Sequence, residues 1–99
     1  MKLICFGDSL TFGYGVRASQ RWTHLCAQHT GWKIVNEGVS GDTTGGMLAR
    51  LAARVLPELR SGSADELFQR ILLMGGTNDV FYSGSDVSAR ANMGAMIHQ

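Results

Sequence analysis

Leu3-Ile4-Cys5-Phe6-Gly7-Asp8-Ser9-Leu10 is the stretch that decides the fold. Four apolar residues end on a glycine and run directly into an aspartate and a serine. A short apolar run bounded by glycine has the pattern of a strand covered on both faces, as in a parallel sheet. A polar side chain on a tight turn at the carboxyl end of a first strand is where an open α/β sheet places its reacting groups.

The same arrangement recurs twice. Lys33–Glu37, built around Ile34 and Val35, reads as a second strand and leads into Ser40-Gly41-Asp42-Thr43. Arg70–Met74 reads as a third strand and leads into Gly75-Gly76-Thr77-Asn78-Asp79. Helical stretches separate them. One starts near Ser19 and runs to about Thr30, with Trp22, Leu25, Cys26 and His29 on one face and Gly31 as its terminating glycine. Thr43 or Thr44 caps the next, whose apolar positions are Met47, Leu48, Leu51, Ala52, Val55, Leu56 and Leu59. Pro57 interrupts that stripe, either kinking the helix or opening a short new turn. Thr11–Ser19 reads as a loop and Ser61–Asp65 as a polar linker. Ser85 or Asp86 starts a last helix with Val87, Ala91, Met93, Met96 and Ile97 on its apolar side.

The order β-α-β-α-β-α implies an α/β fold with a parallel sheet and right-handed crossovers. Strand order 2-1-3 leaves the third strand on an edge. That edge, Ile71-Leu72-Leu73-Met74, is flat and apolar, without proline or an inward charge, and a complete domain covers such an edge. A doubly wound sheet has about five strands. Residues 1–99 therefore read as the N-terminal portion of one larger domain. The third-strand edge awaits either a missing C-terminal segment or a second copy of the chain.

Composition narrows the partners. The net charge is +1 with no run of Lys or Arg, which gives no electrostatic footprint for nucleic acid or for an anionic membrane. No apolar stretch approaches the ~20 residues of a membrane span. Only four apolar residues follow Met1-Lys2, short of the roughly 7–15 of a signal peptide, so a cytoplasmic location is expected. Cys5 and Cys26 have neither metal nor redox spacing and read as free thiols. No cofactor and no metal is expected.

A serine hydroxyl needs a base to take its proton and donors to hold the oxyanion that forms. Ser9 opens a helical turn, so its backbone N–H points into the space its Oγ occupies. Gly41 lets backbone approach a ligand and supplies a second N–H. Asn78 offers a third donor through its carboxamide. Asp8 and Asp79 flank these residues and are expected to accept backbone N–H bonds and fix the turns.

Taken together, these residues resemble the SGNH, or GDSL-type, hydrolase family. Gly7-Asp8-Ser9-Leu10 is similar to its first block, which carries the nucleophile. Asn36-Glu37-Gly38-Val39-Ser40-Gly41-Asp42-Thr43 is similar to its second block, with Gly41 as the oxyanion glycine. Gly76-Thr77-Asn78-Asp79 is similar to its third. The likeness runs from Leu3 to about Asp79 and looks closest to the bacterial esterase and lysophospholipase-like thioesterase branch. It implies a flavodoxin-like three-layer α/β/α fold and metal-free hydrolysis of small acyl esters or thioesters. In the family a fourth block, Asp-x-x-His, supplies the base. Here the residues three before His24, His29 and His98 are Arg21, Cys26 and Ala95, so no histidine matches it and the base is unassigned. The chain alone is accordingly expected to be nearly inactive.

Plainer readings cover the remaining features. Each polar turn taken singly is an ordinary turn or helix cap. Gly13-x-Gly15-x-x-Ala18 fits a dinucleotide pattern, but it begins seven residues beyond Phe6 instead of opening from the strand. Met47, Met74, Met93 and Met96 read as core filler, and Trp22 and Trp32 as packing anchors. The contrasting functional class is a non-catalytic interaction module built on a vestigial serine turn.

Overall fold

The computed structural model describes residues 1–60 and 69–99. Strand β1 (Lys2–Gly7) lies between β2 (Lys33–Gly38) and β3 (Gln69–Met74), and both pairings are parallel. Ile4 stands beside Val35 and Ile71, and Gly7 beside Gly38 and Met74, so the three strands end level with one another. The order is β2-β1-β3, as the sequence implies. The apolar run of β1 takes the centre because both of its faces are covered, and Ile4, Cys5 and Phe6 are fully buried.

Alternation along β1 divides the core. Ile4 and Phe6 point into a cluster with Met47, Leu51, Val55 and Met96. This side is covered by α3 (Thr44–Arg50), a widened π-helical turn (Leu51–Val55), α4 (Leu56–Arg60) and α6 (Val87–His98). The opposite face carries α1 (Ser9–Phe12) and α2 (Trp22–Thr30), both packed against β2. Helices on both faces of a parallel sheet make three layers.

The helix after β2 shows how sequence and packing negotiate. Thr43 Oγ1 accepts the Gly46 N–H at 3.1 Å and caps α3. Met47, Leu51 and Val55 are all buried. They recur every four residues, where an ideal α-helix would drift off the contact face. The π turn corrects the drift: the Leu56 N–H bonds to the carbonyl of Leu51, five residues back. Pro57 follows directly on this widened turn, as the second residue of α4.

Several expectations are corrected. Leu25 and His29 of α2 are exposed, and the inward positions are Thr23, Cys26 and Ala27. A short Ala18–Gln20 3₁₀ turn precedes that helix and shifts its start to Trp22. In α6 the buried residues are Ala89 and Met96, while Val87 and Ile97 face outward. A helix that the sequence does not announce, α5 (Thr77–Ser83), follows β3. Its run Val80-Phe81-Tyr82 is exposed and shows no helical stripe, so hydrophobic periodicity could not reveal it. The Ser61–Asp65 linker lies outside the described residues.

The third strand is an open edge. Ile71, Leu72 and Met74 are 42%, 44% and 38% exposed. Beside it opens a cavity of about 380 Å³ lined by Leu51, Leu56, Ile71, Leu73, Met96 and Ile97. Among the described residues no helix is long and apolar enough to cross a membrane.

Candidate active site

Asp8 caps α1. Its Oδ1 accepts the Leu10 N–H at 3.0 Å and the carboxylate is buried. Ser9 is the first residue of that single turn, half-buried at the end of the central strand. The N–H of a first helical residue has no intrahelical partner, so it stays available beside the hydroxyl. The turn is held down from three directions. Asn36 Nδ2 donates to the carbonyl of Thr11 at 2.9 Å and to Thr23 Oγ1 at 3.0 Å. Trp22 Nε1 donates to the carbonyl of Leu10 at 2.9 Å. Gly38 lets α1 lie directly on the end of β2: a Cβ there would stand 2.3 Å from Phe12 N and 2.9 Å from the Asp8 carbonyl oxygen.

The second turn is stitched to the first. Val39 N–H donates to the Gly7 carbonyl at 3.0 Å, and Asp42 N–H to that of Val39 at 3.2 Å. Gly41 sits inside this turn at φ +81°, with open space where a side chain would be. Its glycine answers to backbone conformation, not to crowding.

The third turn is tied to the second by two neighbouring side chains of α5. Asn78 Nδ2 donates to the Asp42 carbonyl at 2.8 Å. One of its two amide hydrogens is used there, and the other remains. Buried Asp79 accepts from Thr44 N–H at 2.8 Å and from Thr44 Oγ1 at 2.6 Å, while Thr44 Oγ1 itself accepts from Asn92 Nδ2 at 3.1 Å. Ser9, Gly41 and Asn78 thus belong to three linked turns at the carboxyl end of one sheet.

Arg50, which the sequence reading gave no role, turns out to hold these turns. Arg50 donates to Asp42 Oδ2 at 2.7 Å, to the carbonyl of Glu37 at 2.9 Å and to that of Gly7 at 2.8 Å. Asn36, Thr44 and Asn92 complete the supporting bonds. A lone Asn inside an otherwise strand-like run was the one available signal for Asn36. Arg50 carried none, because an arginine near a helix end ordinarily reads as solvated.

His24, His29 and His98 are all exposed. His29 lies near the far end of α2, where the chain turns to begin β2. Asn92 of α6 meets Thr44 at the carboxyl end, whereas Gln99 lines the cavity beside Leu56 and Ile71, so His98 points to the other end of the sheet. Burial, with the Cys26 thiol second, pushes the Cys5 thiol up to about 11, which keeps it protonated and unreactive near neutrality. Among the described residues no group of His, Cys, Asp and Glu could hold a metal ion.

The serine turn on the central strand of this 2-1-3 parallel sheet is thus linked to the turns after both neighbouring strands. Residues 5–99 match the GDSL-like lipase/acylhydrolase family, and the chain belongs to it. It is similar to Esterase TesA of Pseudomonas aeruginosa, 36% identical over 61 residues that cover 57% of this chain and 30% of that protein. The crystal structure of a member of the lipolytic G-D-S-L family from Veillonella parvula matches it with a TM-score of 0.82 at 27% identity, over 99% of this chain and 51% of that one. AlinE4, an SGNH-hydrolase family esterase, matches with a TM-score of 0.70 at 30% identity, over 98% of this chain and 51% of that one. The chain spans about half the length of these solved relatives.

Proposed function

We propose that residues 1–99 carry the nucleophile and the oxyanion hole of a serine esterase acting on small acyl esters or thioesters, and that its general base lies outside them. Ser9 Oγ attacks the acyl carbon. The oxyanion is received by the N–H groups of Ser9 and Gly41 and by the Asn78 amide. A histidine from a further segment takes the serine proton and returns it to the alcohol or thiol leaving group, and water then releases the acid. The observation that carries this reading is the bond from Asn78 Nδ2 to the Asp42 carbonyl, which fixes the carboxamide next to the Gly41 peptide. Each such donor contributes about 2.7–4 kcal/mol to the transition state.

The open edge favours the same view. Exposed Ile71, Leu72 and Met74, together with the adjoining apolar cavity, suit one more parallel strand and a covering helix. The half-length match to the solved relatives supports a following segment as their source, with residues 1–99 as the N-terminal portion of one domain. The two free thiols are in keeping with a reducing, cytoplasmic setting.

A fluorophosphonate probe tests the proposal on the chain joined to its following segment. The expected result is labelling of Ser9 that disappears in Ser9→Ala. An unlabelled protein that forms a stable dimer would instead establish the second reading, an interaction module that uses the β3 edge.

A further inference from the structure

We propose that Arg50 is a positioning residue of this site, a side chain that locks the nucleophile turn and the oxyanion turn into one rigid unit. The inference rests on the esterase reading for its consequence but not for its geometry. Arg50 is the last residue of α3, at φ −97° and ψ 0°, where the helix widens into the π turn. Its guanidinium lies 4.3 Å from the centre of the buried Phe6 ring. From there its nitrogens reach three acceptors: Nη2 the Gly7 carbonyl, Nη1 the Glu37 carbonyl, and Nε the Asp42 carboxylate. The Arg50 and Asp42 side chains are only 18% and 14% exposed, so the ion pair is largely shielded from water.

Each acceptor lies close along the chain to a reacting group. Gly7 is two residues before Ser9, and its carbonyl also accepts the Val39 N–H. Glu37 precedes Gly38, the residue on which α1 rests. Asp42 follows Gly41, and its carbonyl holds Asn78. Two of the three acceptors are main-chain carbonyls at the ends of β1 and β2, and the Gly7 carbonyl takes the Arg50 bond in addition to the Val39 N–H. Only a planar fork of donors that can also stack on an aromatic ring makes this set of contacts; a lysine ammonium offers a point charge on a flexible stem.

The hydrogen bonds of Arg50 go to Gly7, Glu37 and Asp42 and to no reacting atom. Its loss leaves Ser9, Gly41 and Asn78 present but out of alignment, and a misplacement of about 1 Å costs on the order of 10²-fold in rate.

The test uses the full chain, with its following segment, as wild type, Arg50→Lys and Arg50→Ala. Hydrolysis of p-nitrophenyl acetate should fall about 10²-fold in kcat for both variants with little change in KM. Guanidinium ion at sub-denaturing concentration should restore part of the kcat of Arg50→Ala and none of that of Arg50→Lys, whose stem fills the space. Independently of activity, the backbone amide of Gly41 and the side-chain amide of Asn78 should shift in ¹⁵N spectra of Arg50→Lys. Unmoved Gly41 and Asn78 signals, or wild-type kcat in a folded Arg50→Lys, would overturn the inference. Should Arg50→Ala not fold, Arg50→Lys alone decides. If the wild type resists a fluorophosphonate, the esterase reading fails, while the amide shifts still decide the role of Arg50.

Discussion

The Asn78 side-chain amide donates to the main-chain carbonyl of Asp42 across 2.8 Å, joining the turn after β3 to the turn after β2. One hydrogen bond thereby orients a side-chain donor and anchors the peptide next to Gly41. The neighbouring residue repeats the link from the other side, with the Asp79 carboxylate on Thr44. Two adjacent residues of α5 therefore do different work: Asp79 docks the helix and Asn78 faces the site.

In the proposed mechanism Asn78→Ala removes an oxyanion donor without touching the nucleophile. In the full chain it should lower kcat by about 10²–10³-fold, with KM nearly unchanged, as measured by steady-state hydrolysis of p-nitrophenyl acetate. Asp79→Ala should act differently. It strands the buried Thr44 N–H and should cost about 1–3 kcal/mol in urea denaturation.

Gly38→Ala places a Cβ 2.3 Å from the backbone nitrogen of Phe12. No side-chain rotation relieves a contact with backbone, so α1 must move. The expected result is a stability loss of about 1–3 kcal/mol together with slower fluorophosphonate labelling of Ser9. Unchanged labelling would show that the position of α1 is not set by the end of β2.

Cys5 supplies a pH signature. Its thiol has an ordinary value of 9.0, raised to about 11 in the fold by burial first and the Cys26 thiol second. The folded protein thus keeps its proton where the unfolded chain has released it. Stability tied to the neutral thiol is complete below pH 9.0 and is lost as pH rises toward about 11. Denaturation midpoints measured across that range should fall, and Cys5→Ala should flatten the fall. At pH 8, Cys26 should react with a disulfide reagent well before Cys5.

The β3 edge predicts association. Expressed as these 99 residues, the chain should sediment as a dimer or larger species, and Leu72→Lys should reduce that association. Sedimentation of the unmodified 99-residue chain as a well-folded monomer would count against an adhesive edge.

Much of the frame was legible because it rests on local patterns. Leu3–Phe6 is a continuous apolar run, and such runs followed by Gly-rich turns mark buried parallel strands. The cap at Thr43 and the glycine stop at Gly31 are short-range signals of the same kind. Helix faces were harder. Leu25 and Ile97 are apolar yet exposed, because which side of a helix is buried depends on the layer it meets. Helix α5 escaped notice because its existence depends on Gly76 and Gly84 at its ends and on the Asp79 bond to Thr44, thirty-five residues away in the chain.

By itself the sequence determined the order of elements and the placing of Ser9, Gly41 and Asn78 just after three strands, since those signals are short-range, and the alternation of strands with helices implied the parallel sheet. It also determined the lack of an Asp-x-x-His. The tertiary structure alone decided that Arg50 clasps Gly7, Glu37 and Asp42, and that Asn78 reaches Asp42. Those bonds join residues up to forty-three positions apart. No local pattern encodes them: side chains of such reach find their acceptors only after packing of Met47 and Leu51 on the sheet has brought the strand ends within a hydrogen bond of α3.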